Sequence, residues 1–232
     1  MKQLIEPTLL ILAGGLGTRL RSVVAEVPKT LAPVAGRPFL FWLLQNLERQ
    51  GIRKVVLSLH HKADLIQKVV AKMPLSMQIR TVIEPSPLGT GGAISYAVHE
   101  QALSDEFWVI NGDTWLGEWV EAIQKVSYPA VGLVEVEDTS RYGLVEWSNQ
   151  NVHCFSEKKE DAKTGWINAG VYHLHTAYFA KWDGRPFSLE RELLPNWASQ
   201  GRLYAFPLQT EFIDIGVPED YQRFSIWMKN IL

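Results

Sequence analysis

Short apolar runs alternate with amphipathic stretches through the first half of the chain. Residues 8–13, TLLILA, carry an apolar run of strand length and predict a buried strand. Residues 39–50, FLFWLLQNLERQ, repeat apolar side chains at helical spacing, with Pro38 just before and Gly51 just after as start and stop signals. The pattern then predicts strand 54–59, helix 63–72, strand 78–83, helix 90–103 and strand 107–110. This β-α-β-α-β rhythm argues for a parallel, doubly wound sheet covered by helices. In the second half the character changes. Shorter stretches at 130–137, 143–147, 152–155, 166–173 and 203–207 read as strands joined by turns, and 188–200 and 218–230 as helices. One mixed α/β domain is expected, its second half adding an antiparallel, lid-like section. Ligands of such sheets gather at the carboxyl ends of the parallel strands. The glycines after residue 13, Glu84 and Asp113 all fall at such ends, which collects them in one crevice.

Composition narrows the picture only a little. The chain has 232 residues, 47% hydrophobic and 21% charged, an ordinary globular mixture. A net charge of -2 gives no global pull toward nucleic acid or an anionic membrane, and neither is expected as a partner. The single cysteine, Cys154, makes no intrachain disulfide and fits a reducing cytoplasm. The first apolar run is short and glycine-interrupted, so no signal peptide is expected, and no run reaches membrane-spanning length. Nine tryptophans serve either a core or an interface between copies, which leaves a homo-oligomer open.

Candidate chemistry begins at residues 9–20, LLILAGGLGTRL. Gly15 and Gly17 match the first two glycines of a dinucleotide fingerprint, but Leu20 stands where the third belongs. The Gly-Lys pair of a P-loop is absent. Two readings stay open: a tight turn without a ligand, or a looser loop whose backbone N–H groups wrap a triphosphate. Arg19 favours the second, since its forked donors suit phosphate. Lys29, between Pro28 and Pro33, sits on a stiffened segment that suits a fixed phosphate contact, though a surface lysine would read the same way.

These pieces, LAGGLGTRL, PKTLAPVAGRP and NGDT, closely resemble the signature of the sugar-1-phosphate nucleotidylyltransferases. Later ones agree in order and spacing: RYGLVE, SEKK, INAGVY, SLERELLP and DIGVPEDY, so the likeness runs from about residue 8 to about residue 221. EPSPLGTGGA, GRPFL and INAGVY followed by PFSLE resemble the D-glycero-α-D-manno-heptose 1-phosphate guanylyltransferases within that family. Val217 is a departure, for relatives often carry threonine after DIG. The resemblance implies a Rossmann-like, mostly parallel mixed sheet flanked by helices, with an antiparallel sugar-binding extension and no C-terminal β-helix. It implies a single domain over 1–232, with a nucleotide-binding half at about 1–125 and a sugar-phosphate half at about 126–232.

The implied reaction joins GTP and a sugar 1-phosphate into a GDP-sugar, releasing pyrophosphate, for a capsule or other surface glycan. The sugar phosphate is already an anion, so positioning and charge stabilisation should carry catalysis. Mg²⁺ is the implied cofactor, held by Asp113 and Asp214, each of which would otherwise be a turn residue. Arg19 and Lys29 would neutralise the departing pyrophosphate, and Lys158 would hold the incoming sugar phosphate, with Lys159 its rival. Leu12, Ala13, Gly14, Gly15, Gly17, Thr18, Glu84, Gly89, Thr90 and Asp113 would bind the nucleotide. The loop 89–92 would offer backbone groups to base and ribose. Tyr142, Gly143, Glu157, Asn168, Ala169, Gly170 and Glu190 would line the sugar, Gly143 by letting the ring approach backbone and Glu190 with a helix-surface glutamate as rival.

Guanine presents N1–H and N2–H₂ side by side, and a carboxylate accepts from both. Uracil and thymine present one N–H between two carbonyls, which an amide suits better. Glu84 therefore favours GTP if it points at the base. Rivals are a mannose-1-phosphate guanylyltransferase, a uridylyl- or thymidylyltransferase, and a regulatory subunit without turnover. The last predicts damage at Arg19, Lys29, Asp113 or Asp214, and all four are intact.

Overall fold

The computed structural model describes residues 7–15, 17, 20, 24, 27–156 and 163–231. In chain order, β1 (Thr8–Leu12) precedes a 3₁₀ turn (Lys29–Leu31), the hairpin β2 (Pro33–Val34) and β3 (Arg37–Pro38), and α1 (Phe39–Arg49). The alternating block follows: β4 (Lys54–Leu59), α2 (Ala63–Val70), β5 (Gln78–Ile83), α3 (Gly89–His99) and β6 (Glu106–Asn111). Next come β7 (Thr114–Leu116), α4 (Val120–Ile123), β8 (Ala130–Val136), β9 (Leu144–Ser148), β10 (Asn151–Ser156) and β11 (Gly165–His175). A π-helical turn (Leu189–Leu193) runs into α5 (Leu194–Ser199), and β12 (Tyr204–Leu208), β13 (Phe212–Asp214) and α6 (Pro218–Ile231) finish the described chain.

Among the described residues nine strands form one sheet in the order β5-β4-β1-β6-β11-β8-β12-β10-β9. β5, β4, β1 and β6 run parallel, as their crossover helices require. β1 lies between β4 and β6 and is covered on both faces. Its Leu9 and Ile11 enter one core with α1, α2 and α6, while Leu10 enters the other with α3 and α5. That two-sided burial is why residues 8–13 read as continuous apolar rather than alternating. Gly51, at φ +93°, ends α1 in a backbone conformation that favours glycine.

The second half differs from the lid-like section expected of it. β11 pairs antiparallel with β6, so the antiparallel strands extend the same sheet. β12 also pairs parallel with β8. The helix expected over 188–200 opens as a π turn, and α5 begins at Leu194 with Pro195 in its first turn, where a missing N–H is harmless. β7 and β13, three residues each, carry too little periodicity to be read from sequence and were not expected.

Candidate active site

The parallel strands end on two hollows that share Leu12, Gly15 and Asp113. The first, about 230 Å³, is walled by Gly15, Gly17, Lys29, Thr30, Gly112, Asp113 and Gly216. Asp113 follows β6 by two residues, and Asp214 closes β13. The β7–β13 pairing sets Asp214 opposite Thr114, and the Ile215 amide donates to the Asp113 carbonyl at 3.0 Å. Two acidic residues a hundred positions apart therefore face one point. Lys29 occupies it: its ammonium donates to Asp113 Oδ2 and lies 3.7 Å from Asp214 Oδ1. The Gly216 amide donates to Asp214 Oδ1 at 2.7 Å and fixes that carboxylate. A Cβ on Gly17, whose φ is +58°, would meet the Lys29 side chain at 3.0 Å, so Gly17 packs directly against the lysine.

The second hollow, about 320 Å³, is walled by Gly14, Glu84, Pro87, Leu88, Gly89, Thr90, Ala93 and Asn111. Glu84 is 6% exposed. Its Oε1 accepts from the Ser58 hydroxyl at 2.8 Å and its Oε2 from the Leu88 amide at 3.3 Å. Burial lifts its pKa above the ordinary value, and these two donors oppose the lift without cancelling it. Each oxygen retains a further lone pair. A Cβ on Gly14 would stand 2.8 Å from Glu84 Oε1, so only glycine brings the loop this close to the carboxylate.

The loop 89–92 differs from expectation. The Gly91 and Gly92 amides donate to the Phe187 carbonyl, at 3.1 and 3.3 Å, and the Phe187 amide donates back to Leu88. A side chain on Gly91 would overlap the Phe187 ring. Two of the backbone donors expected near base and ribose are thus already engaged. Thr90 reaches the hollow, but its hydroxyl donates to Glu190 and accepts from the Leu189 amide at 2.9 Å.

Of the residues expected to line the sugar, none of those described walls either hollow. Tyr142 is half-buried on Phe212 with the Arg141 guanidinium 5.5 Å from its ring centre, and burial raises its phenol pKa. Arg141 is held in turn by Asp220 of α6 at 2.5 Å. A Cβ on Gly143 would meet the Ser156 carbonyl at 2.9 Å, so its smallness serves the approach of β10. Ala169 is buried. Gly170, at φ +70°, presses on Asn111, which joins this segment to the wall of the second hollow. Asn168 bonds within the protein to Gly170 and Tyr172, and Glu190 accepts from Tyr172, Ser188 and Thr90. Thr18, Arg19, Glu157 and Lys158 lie outside the described residues. Sequence reasoning passed over Ser58, Asn111 and Gly216. Asn111 and Gly216 stand inside NGDT and DIG and were within reach; nothing in sequence marks Ser58.

Comparison with known proteins gives the family. The nucleotidyl transferase family model matches residues 8–227. The D-glycero-alpha-D-manno-heptose 1-phosphate guanylyltransferase of Campylobacter jejuni is 36% identical over 94% of this chain and 98% of its own length. The mannose-1-phosphate guanylyltransferase catalytic subunit beta of Danio rerio is 33% identical over 91% of this chain, which spans 62% of that protein. The crystal structure of HddC from Yersinia pseudotuberculosis superposes with a TM-score of 0.85 and 37% identity, covering 96% of this chain and 99% of that one. It has also been solved in complex with GMP-PN, at the same similarity. The chain is a member of the nucleotidyl transferase family.

Proposed function

We propose that the protein is a sugar-1-phosphate guanylyltransferase that converts GTP and D-glycero-α-D-manno-heptose 1-phosphate to GDP-heptose and pyrophosphate. The observation that carries this reading is the Lys29 ammonium held between Asp113 and Asp214, in a hollow continuous with the buried carboxylate of Glu84. Phosphate chemistry suits the first hollow and guanine the second. The heptose is taken from the relatives of Campylobacter jejuni and Aneurinibacillus thermoaerophilus, whose named substrate it is, at 36% and 37% identity.

In this reading a sugar phosphate oxygen attacks the α-phosphorus of GTP in line. The bond from that phosphorus to the bridging oxygen breaks, and pyrophosphate leaves with the electron pair. No proton must be removed from the nucleophile, so no general base is needed. Gly15 lets the triphosphate approach backbone, and Lys29 stabilises charge on the leaving oxygens. On the motif alone, Arg19 joins Lys29 there and Lys158 holds the incoming phosphate. The two carboxylates suit a hard divalent cation, which takes one or two such ligands and completes its shell with phosphates and water. Mg²⁺ held by Asp113 and Asp214 would neutralise phosphate charge. Residues 1–125 would then serve the nucleotide and 126–232 the sugar phosphate. Among the described residues no helix is long and apolar enough to cross a membrane. We place the reaction in the cytoplasm, where a lone exposed Cys154 stays reduced.

The test is a panel of GTP, ATP, UTP, CTP and dTTP against manno-heptose, mannose and glucose 1-phosphates, read as pyrophosphate release with and without Mg²⁺. GTP with manno-heptose 1-phosphate should lead. Turnover confined to UTP and glucose 1-phosphate would overturn both the base and the sugar.

A further inference from the structure

β11 is irregular where it passes the sugar side. Its register with β8 shifts between Asn168 and Tyr172, a bulge that re-aims the residues between. Across this bulge runs a hydrogen-bonded chain with a fixed direction. The Gly170 amide, which can only donate, lies 2.8 Å from the Asn168 side chain, so the atom facing it is the carbonyl oxygen and the amide cannot turn over. Asn168 Nδ2 then donates to the Tyr172 hydroxyl at 3.0 Å. That phenol is wholly buried, which together with the nearby Glu190 carboxylate keeps its proton on, and it donates to Glu190 Oε1 at 3.2 Å. On the other oxygen, Oε2, Glu190 accepts from the hydroxyls of Thr90 and Ser188.

Three hydroxyl donors on one carboxylate leave Glu190 little capacity for a sugar. Asn168, by contrast, keeps a second N–H and a second carbonyl lone pair beyond these two bonds. We infer that Tyr172 and Glu190 are positioning residues: the relay Asn168–Tyr172–Glu190–Thr90 sets the Asn168 amide for the sugar hydroxyls and anchors it to the loop beside the nucleotide. The inference rests on the guanylyltransferase reading and moves Glu190 from sugar ligand to anchor. Removing the phenolic oxygen releases the Asn168 amide while the aromatic ring still fills its place.

The test uses the full chain with the Tyr172→Phe substitution and the sugar 1-phosphate that the wild type turns over best. The KM for that sugar phosphate should rise about tenfold, the worth of one hydrogen bond, with the KM for GTP within about twofold. A purely structural role for Tyr172 would lower kcat and the melting temperature without separating the two KM values. Should Tyr172→Phe fail to fold, the isosteric Glu190→Gln carries the same test, because an amide there leaves one hydroxyl proton of the relay without an acceptor. Equal changes in both KM values, or none in either, overturn the relay. A wild type that releases no pyrophosphate with any sugar 1-phosphate overturns the guanylyltransferase reading, and the inference with it.

Discussion

Gly89→Ala is the substitution whose cost the geometry determines most closely. Gly89 opens α3 at φ +71°, a left-handed conformation that costs an alanine about 1–2 kcal/mol. A collision adds to this strain. The new Cβ would stand 2.5 Å from the Phe187 carbonyl oxygen and 3.1 Å from its carbon. That oxygen accepts from the Gly91 and Gly92 amides at 3.1 and 3.3 Å, so it cannot retreat without stretching both bonds past useful length. Two net hydrogen bonds at about 0.5–1.5 kcal/mol each bring the total to about 2–5 kcal/mol. For a domain of this size each kcal/mol moves Tm by about 2–4 °C, so a fall of about 4–20 °C is expected. Gly36→Ala is the matched control. Gly36 has φ +79° and, among the described residues, nothing within 4 Å of a would-be Cβ, so it isolates the backbone strain, about 2–8 °C. Melting curves of both variants beside the wild type decide the matter. If Gly89→Ala costs no more than Gly36→Ala, the collision with Phe187 is not real, and the packing of the 89–92 loop against that residue must be redrawn.

Two further substitutions probe the hollows. Lys29→Met keeps most of the side-chain volume but removes the ammonium between Asp113 and Asp214; pyrophosphate release should fall about 10²–10³-fold, and a loss under tenfold would remove Lys29 from the charge-stabilising role. Glu84→Gln must keep its oxygen toward the Leu88 amide, which only donates, so its NH₂ faces Ser58 and replaces one acceptor lone pair by a donor; kcat/KM for GTP should fall about tenfold against UTP, and an unchanged ratio would show that Glu84 does not read the base. The same variant carries a pH signature. Because burial raises the folded-state pKa of Glu84 above its ordinary 4.5, its stabilising contribution is full below pH 4.5 and is lost as pH climbs through the raised value. Urea midpoints should therefore shift in favour of Glu84→Gln over the wild type across that window, and a difference independent of pH would contradict the burial argument.

How much could be read without coordinates depended on how local each cause was. β1 and β4 were legible because a largely apolar run of five or six residues between breakers has few other uses. The pairing of β7 with β13 was not, since three residues show no period. Even so, NGDT and DIG mark Asp113 and Asp214 in the sequence, whatever brings them together. Thr90 and Glu190 stand out in the sequence as residues, but their pairing does not. Thr90 walls the second hollow and Glu190 lies behind it, and sequence cannot show that each already satisfies the other across a hundred positions.

The glycines make the same point most sharply, because a ligand and a neighbouring chain both exclude Cβ and leave an identical residue behind. Gly14 yields room to Glu84, Gly17 to Lys29, Gly91 to Phe187 and Gly143 to Ser156, all within the protein. Among the described residues, a Cβ on Gly15, which walls both hollows, would meet nothing within 4 Å. Of the described loop glycines, Gly15 is therefore the one whose bare backbone faces space that a triphosphate could fill. Gly14 and Gly17 earn their place in AGGLGTR one step back, by letting the loop lie against the carboxylate and the ammonium on either side of it.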